Sequence, residues 1–166
     1  MNIEIASIAE QLLTQVQNFH KNGILLKFLA PQFIVVQESN FFKYMPKLEI
    51  VGVETMLIAD ELMGPEKSES ISGVNLIFMA PEYYQVQADS DFDWNVDIYS
   101  IGVILYLLIT GGTESHEENQ FQESFDFRES IWDEVDEELR DFVELMVQAR
   151  AENRRPIDDL LKHAVI

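Results

Sequence analysis

Apolar and polar positions follow different periods along this chain. Ile3, Ile5, Ile8, Leu12, Val16 and Phe19 recur at near-helical spacing, with Glu4, Glu10, Gln11 and Gln15 between them. This pattern predicts an amphipathic helix that Asn22-Gly23 brings to a left-handed stop. Residues 24–36 are densely apolar, broken by Lys27, Pro31 and Gln32. Within and beyond them, Ile34-Val35-Val36 and Leu48-Glu49-Ile50-Val51 are short β-branched runs on either side of a polar stretch, which predicts a small hairpin. Residues 58–71, rich in Glu, Ser, Gly and Pro, read as an exposed loop, and 88–95 as a second polar loop.

Residues 96–110 stand apart from the rest. Apart from Asp97, Ser100 and Gly102 almost every position is apolar, on every side of a helical wheel. A helix apolar all round must be buried all round. It falls short of the roughly 20 apolar residues of a membrane span and stops at Gly111-Gly112, so it predicts the central helix of a globular domain. Asp97 then needs hydrogen-bond partners, because a carboxylate entering a core must be satisfied. Downstream, acidic residues crowd from Glu114 to Glu138, reading as a mobile acidic loop at about 113–130. Residues 135–147 follow as a helix with Leu139, Phe142, Val143 and Met146 on one face. A short last helix is expected at 157–163, after Pro156.

A length of 166 residues suits one domain, here 1–166. The fold class predicted is mainly α with one small β element. The charge changes the picture more: 30 acidic against 11 basic residues leave a net −19, which excludes nucleic acid and anionic membrane as partners. The absence of cysteine excludes disulfides and thiolate chemistry. No secretory signal is visible at Met1-Asn-Ile-Glu-Ile, so an intracellular, cytoplasmic location is expected.

The order of segments carries a resemblance. The run Phe19-His-Lys-Asn-Gly-Ile-Leu-Leu-Lys-Phe-Leu-Ala-Pro-Gln-Phe33 resembles the catalytic-loop region of protein kinases, and Met79-Ala-Pro-Glu82 resembles the motif closing their activation segment. Residues 96–108 resemble their F helix. Phe125-Asp-Phe, Trp132, Leu145-Met146 and the stretch from Arg154 to His163 resemble the tail of the calmodulin-kinase group. Four such segments in the family's order imply an α+β kinase large lobe, with a central buried helix, a small hairpin and no nucleotide-binding lobe. The small lobe's Gly-x-Gly-x-x-Gly loop has no counterpart among the seven glycines.

The departures bear on function. Kinases need an Asp to accept the substrate proton and an Asn and a second Asp to hold magnesium. By resemblance the His-Arg-Asp triplet falls on Leu26, Lys27 and Phe28, the loop lysine on Ala30, the Asn on Phe33 and the metal-binding Asp on Gly52. These side chains neither accept a proton nor bind a cation. The expectation is therefore a chain that is not an enzyme: a catalytically inactive pseudokinase fragment without cofactor or metal, acting as a protein-interaction module or subunit. The alternative is nucleotide binding or residual Ser/Thr kinase-like activity completed by another chain's small lobe. The resemblance also implies that Glu82 pairs with Arg154, Arg155 being the neighbouring candidate, and that Asp97 hydrogen-bonds the catalytic-loop backbone. Leu25, Phe28, Phe33 and Val53, with Leu26 beside them, become an exposed apolar patch for a protein partner, unless local refolding buries them. The −19 charge favours a different partner over a homodimer.

Other candidates carry less. Residues 89–95 alternate acids as a calcium loop does, but Trp94 and Ser100 stand where an EF-hand requires Gly and Glu. His20, His116 and His163 lack metal-ligand spacing; His20 reads as a buried, hydrogen-bonded imidazole. Ser68, Ser70 and Ser72 read as ordinary loop serines.

Overall fold

The computed structural model describes residues 2–37, 46–62, 76–85, 93–112, 125–128 and 130–166. The expected loop residues 63–71, with Ser68 and Ser70, the acids of 89–92, His116 and most of the acidic stretch lie outside them, as does Ser72.

Helix α1 (Asn2–Lys21) buries Ile5, Ala9, Leu12, Leu13 and Val16 and ends in Gly23 at φ +76°. Ile3, expected on the inward stripe, is exposed, because it sits two residues, about 200° of helical turn, from Ile5. After a single 3-10 turn at Pro31–Phe33, strands β1 (Ile34–Gln37) and β2 (Lys47–Ile50) pair antiparallel, Ile34 opposite Ile50 and Gln37 opposite Lys47.

Helix α2 (Val53–Leu62) occupies ground expected to be loop from residue 58. The Gly and Pro that suggested a loop begin only at Gly64. Val53–Leu62 itself contains neither, and Met56, fully buried, anchors it to the core. A short helix α3 (Glu82–Gln85) leads toward the central helix α4 (Asn95–Thr110). Every residue of α4 except Asn95, Leu107 and Leu108 is buried, and Gly111 at φ +73° closes it. Helix α5 (Glu137–Met146) turns Leu139, Phe142, Val143 and Met146 inward. It approaches α4 so closely that a Cβ on Gly102 would lie 2.7 Å from Met146 Cβ and from Val147 Cγ1. Helix α6 (Ile157–Leu160) is shorter than the 157–163 expected, the chain passing into turns from Leu161.

The hairpin is tied to α1 by two glutamines. The bond from Val51 N to Phe33 O sets the phase of the ladder, so Leu48 and Ile50 turn their backbone groups away from β1. Gln11 donates to Pro46 O (3.1 Å) and accepts from Leu48 N (2.9 Å). Gln15 repeats the arrangement one helical turn later, donating to Leu48 O (3.1 Å) and accepting from Ile50 N (2.9 Å). Residues four apart on a helix match residues two apart on a strand, so two amides take Leu48 N–H, Leu48 C=O and Ile50 N–H on the outer edge of β2.

Candidate functional site

Asp97, at the first turn of α4, organises the 26–33 loop. Its carboxylate is fully buried. Oδ1 accepts from Lys27 N (2.7 Å), and Oδ2 from Leu26 N (3.0 Å) and from His20 Nε2–H (2.8 Å). The His20 ring lies 4.8 Å from that of Trp94. Lys27 sits at φ +62°, a conformation that costs a non-glycine residue about 1 kcal/mol. The bond from its N–H to a buried carboxylate offsets that cost.

From this anchor the loop turns inward. Phe28 is buried edge-on against Tyr83, ring centroids 5.3 Å apart, and Leu26, Leu29 and Ala30 are buried with it. Phe33 is half-buried over Gly52, where a Cβ would come 3.0 Å from Phe33 Cδ1. Gly52 itself has φ +70°. Phe28 and Phe33 are thus held by apolar packing, and Gly52 has a backbone conformation that strains any other residue.

This corrects the expected contact patch. Phe28 and Leu26 are core residues, because burying their apolar surface against Tyr83 and α4 outweighs leaving it in water. Leu25, Phe33 and Val53 remain half-buried. Sequence reasoning missed Leu57 and Ile58, both exposed. Leu57 lies one turn beyond Val53 on α2, so recognising α2 as a helix is what brings it onto Val53's face.

The second constellation joins three segments. Arg154 is buried and donates from Nη1 and Nη2 to Glu82 Oε1 and Oε2, at 2.6 and 2.7 Å. Its remaining donors reach Gln148 O (2.8 Å), Asn95 O (3.1 Å) and Ala149 O (3.3 Å). The guanidinium also lies 4.9 Å from the centroid of the Tyr99 ring. Burial pushes the Tyr99 hydroxyl up to about 12. Arg155, the competing candidate for Glu82, is exposed. Among the described residues no group of His, Asp and Glu could hold a metal ion, and no helix is long and apolar enough to cross a membrane.

A buried helix whose first-turn Asp holds a preceding loop, a hairpin after that loop, and a Glu–Arg pair locking the later segments together describe a kinase-like large lobe. The protein kinase domain model matches residues 2–166, and the chain belongs to that family. It is similar to the probable serine/threonine-protein kinase fhkC of Dictyostelium discoideum, 27% identical over 163 residues, 94% of this chain and 26% of that one. Calcium/calmodulin-dependent protein kinase type 1 of Macrobrachium nipponense is 32% identical over 75 residues, 41% of this chain and 22% of that one. The meiosis-specific serine/threonine-protein kinase mek1 of Schizosaccharomyces pombe is 28% identical over 68 residues, 41% and 15% respectively. The chain thus spans about a quarter or less of the length of these curated relatives.

These findings overturn the expectation that the chain is no enzyme: the family it belongs to and the relatives it matches are kinases. That expectation weighed a handful of loop side chains. The family match rests on the pattern of the whole chain.

Proposed function

We propose that this chain acts through protein contacts, as the large-lobe platform of a kinase-family assembly. Its partner is a different protein, and the groups of phosphoryl transfer reach the assembly from elsewhere. The observation that carries this reading is the apolar closure of the 26–33 loop. Phe28 is packed under Tyr83, and Phe33 fills the space above Gly52. The contact face we assign runs from half-buried Leu25, Phe33 and Val53 to exposed Leu57. Apolar surface left at the outside of a fold often marks a protein contact. The alternative, nucleotide binding completed by another chain's small lobe, shares this platform and differs in what the loop contributes.

One experiment separates them. Chain captured from its native cell with whatever accompanies it is assayed with labelled ATP, magnesium and a generic substrate, beside Val53→Asp/Leu57→Asp and Phe33→Leu variants. The double variant is expected to lose its companions while its circular-dichroism melt stays near wild type. Transfer by the captured assembly, if present, is expected to survive Phe33→Leu. Transfer abolished by Phe33→Leu in a folded chain, or companions retained by the double variant, overturns the proposal.

A further inference from the structure

Helix α1 ends in a turn with a chemistry of its own. Asn22 is the only asparagine of the chain that glycine follows. The side-chain amide of an asparagine is an electrophile, and the backbone nitrogen of the next residue is placed to attack it. Glycine leaves that nitrogen unhindered, because it has no side chain to crowd the approach. Asn22 and Gly23 are both exposed, and nothing lies within 4 Å of the place where a Cβ on Gly23 would stand. A cyclic imide, and the water that opens it, therefore have room.

The fold engages both reacting groups. Ile24 N donates to Phe19 O and Gly23 N to His20 O, each at 2.9 Å, the pair of bonds with which a left-handed glycine closes a helix. Gly23 N–H must leave His20 O before its nitrogen attacks. The Asn22 amide is turned back along the helix, Nδ2 donating to Asn18 O at 2.7 Å. His20, whose carbonyl takes Gly23 N–H, is itself pinned by its ring to the buried carboxylate of Asp97 at 2.8 Å. The cap therefore opens only as far as the end of α1 frays, and Asp97 limits the fraying.

We propose that Asn22-Gly23 is a site of spontaneous covalent modification, gated by this cap, at which the asparagine becomes isoaspartate or aspartate and loosens the loop that Asp97 holds. In the opened turn Gly23 N bonds to Asn22 Cγ, the Cγ–Nδ2 bond breaks, and ammonia leaves with the proton given up by Gly23 N. Water then opens the cyclic imide, and nothing is oxidised or reduced. Addition at Asn22 C leaves the backbone running through Cγ, as isoaspartate; addition at Cγ restores the ordinary backbone, as aspartate. Either product sets a carboxylate where Nδ2 donated to Asn18 O, at the negative end of α1. Isoaspartate also lengthens the backbone inside the cap, so the two closing bonds no longer fit. Release of the cap frees His20, one of the three donors on Asp97, whose other two are Leu26 and Lys27 N–H. The chemistry does not depend on the Leu25–Val53–Leu57 contact face.

The test follows the purified chain in mildly alkaline buffer beside a free peptide of residues 17–27. Peptide mapping by mass spectrometry reads the exchange of amide for acid at Asn22, and enzymatic methylation counts the isoaspartate. The peptide is expected to convert fastest and the folded chain about tenfold more slowly, at Asn22 before any other asparagine. Two variants loosen the gate: His20→Gln, which weakens the tie to Asp97, and Lys21→Gly, which weakens the last turn at an exposed position. Each, while its circular-dichroism melt shows a folded chain, should convert several-fold faster than wild type. In the converted chain the Leu26 and Lys27 amides should exchange several-fold faster than in fresh chain. A folded chain still unconverted when the peptide is complete overturns the proposal, as does conversion at the peptide's rate or first at another asparagine. Wild-type rates in the folded variants overturn the gate, and equal Leu26 and Lys27 exchange before and after conversion overturns the link to Asp97.

Discussion

Asp97 shows how much one side chain can decide. Three donors converge on its two oxygens, two of them backbone N–H groups of the loop it holds. An amide in its place offers one acceptor and an NH₂ that repels the donor facing it. A buried donor left unpaired costs about 1–3 kcal/mol. Asp97→Asn should therefore lower stability by about 2 kcal/mol in urea melts, and the left-handed Lys27 should be the first residue to lose its conformation in amide exchange. That Asp97 needed partners was legible from a lone carboxylate in an apolar run. The depth of Phe28 was not, because an aromatic in a loop reads equally well as surface or core until Tyr83, 55 residues away, is brought against it.

At the scale of elements, the hairpin and the two long amphipathic helices follow directly from spacing, but the joints between elements do not. Gln11 and Gln15 look like ordinary polar positions of a helix, yet they act as a substitute strand for β2. Replacing both by Leu leaves Leu48 and Ile50 N–H unpaired in a partly buried place. Their exchange should accelerate in hydrogen-exchange measurements while Glu49, bonded toward β1, stays protected, with a stability loss of about 2 kcal/mol. Gly102 is a joint of the opposite kind, defined by lack of room. Gly102→Ala gains helix propensity but places a methyl 2.7 Å from Met146 and Val147, so α4 and α5 must separate. The expected result is a net loss of about 1–3 kcal/mol in thermal or denaturant unfolding.

For the whole molecule, Arg154 is the tie. It links α3 through Glu82, α4 through Asn95 O and Tyr99, and the segment after α5 through Gln148 O and Ala149 O. Glu82→Ala strands that cation in the core and should cost about 3 kcal/mol, whereas Glu144→Ala on the exposed face of α5 should change stability little. Equal small effects in denaturant melts would show that the three segments are not tied in this way. Tyr99 makes the same region sensitive to alkali. Its folded pKa lies above the unfolded value, so its contribution is complete below pH ~10 and is lost as pH rises toward 12. Alkaline unfolding monitored between those values should flatten in Tyr99→Phe.

The sequence by itself determined the helix α1, the hairpin, the all-round apolar α4 and the inward stripe of α5, because each is written in local periodicity and each periodicity has one burial solution. It also determined that no acid and no asparagine stands in the 26–33 loop, since that is a matter of identity alone. Only the tertiary structure decided which of those replacements are core and which remain at the surface. It alone chose Arg154 over Arg155 as the partner of Glu82 and set Gln11 and Gln15 along the outer edge of β2. These outcomes depend on which distant groups arrive within bonding distance, and a buried aromatic, a paired arginine and a capped strand are products of that arrival.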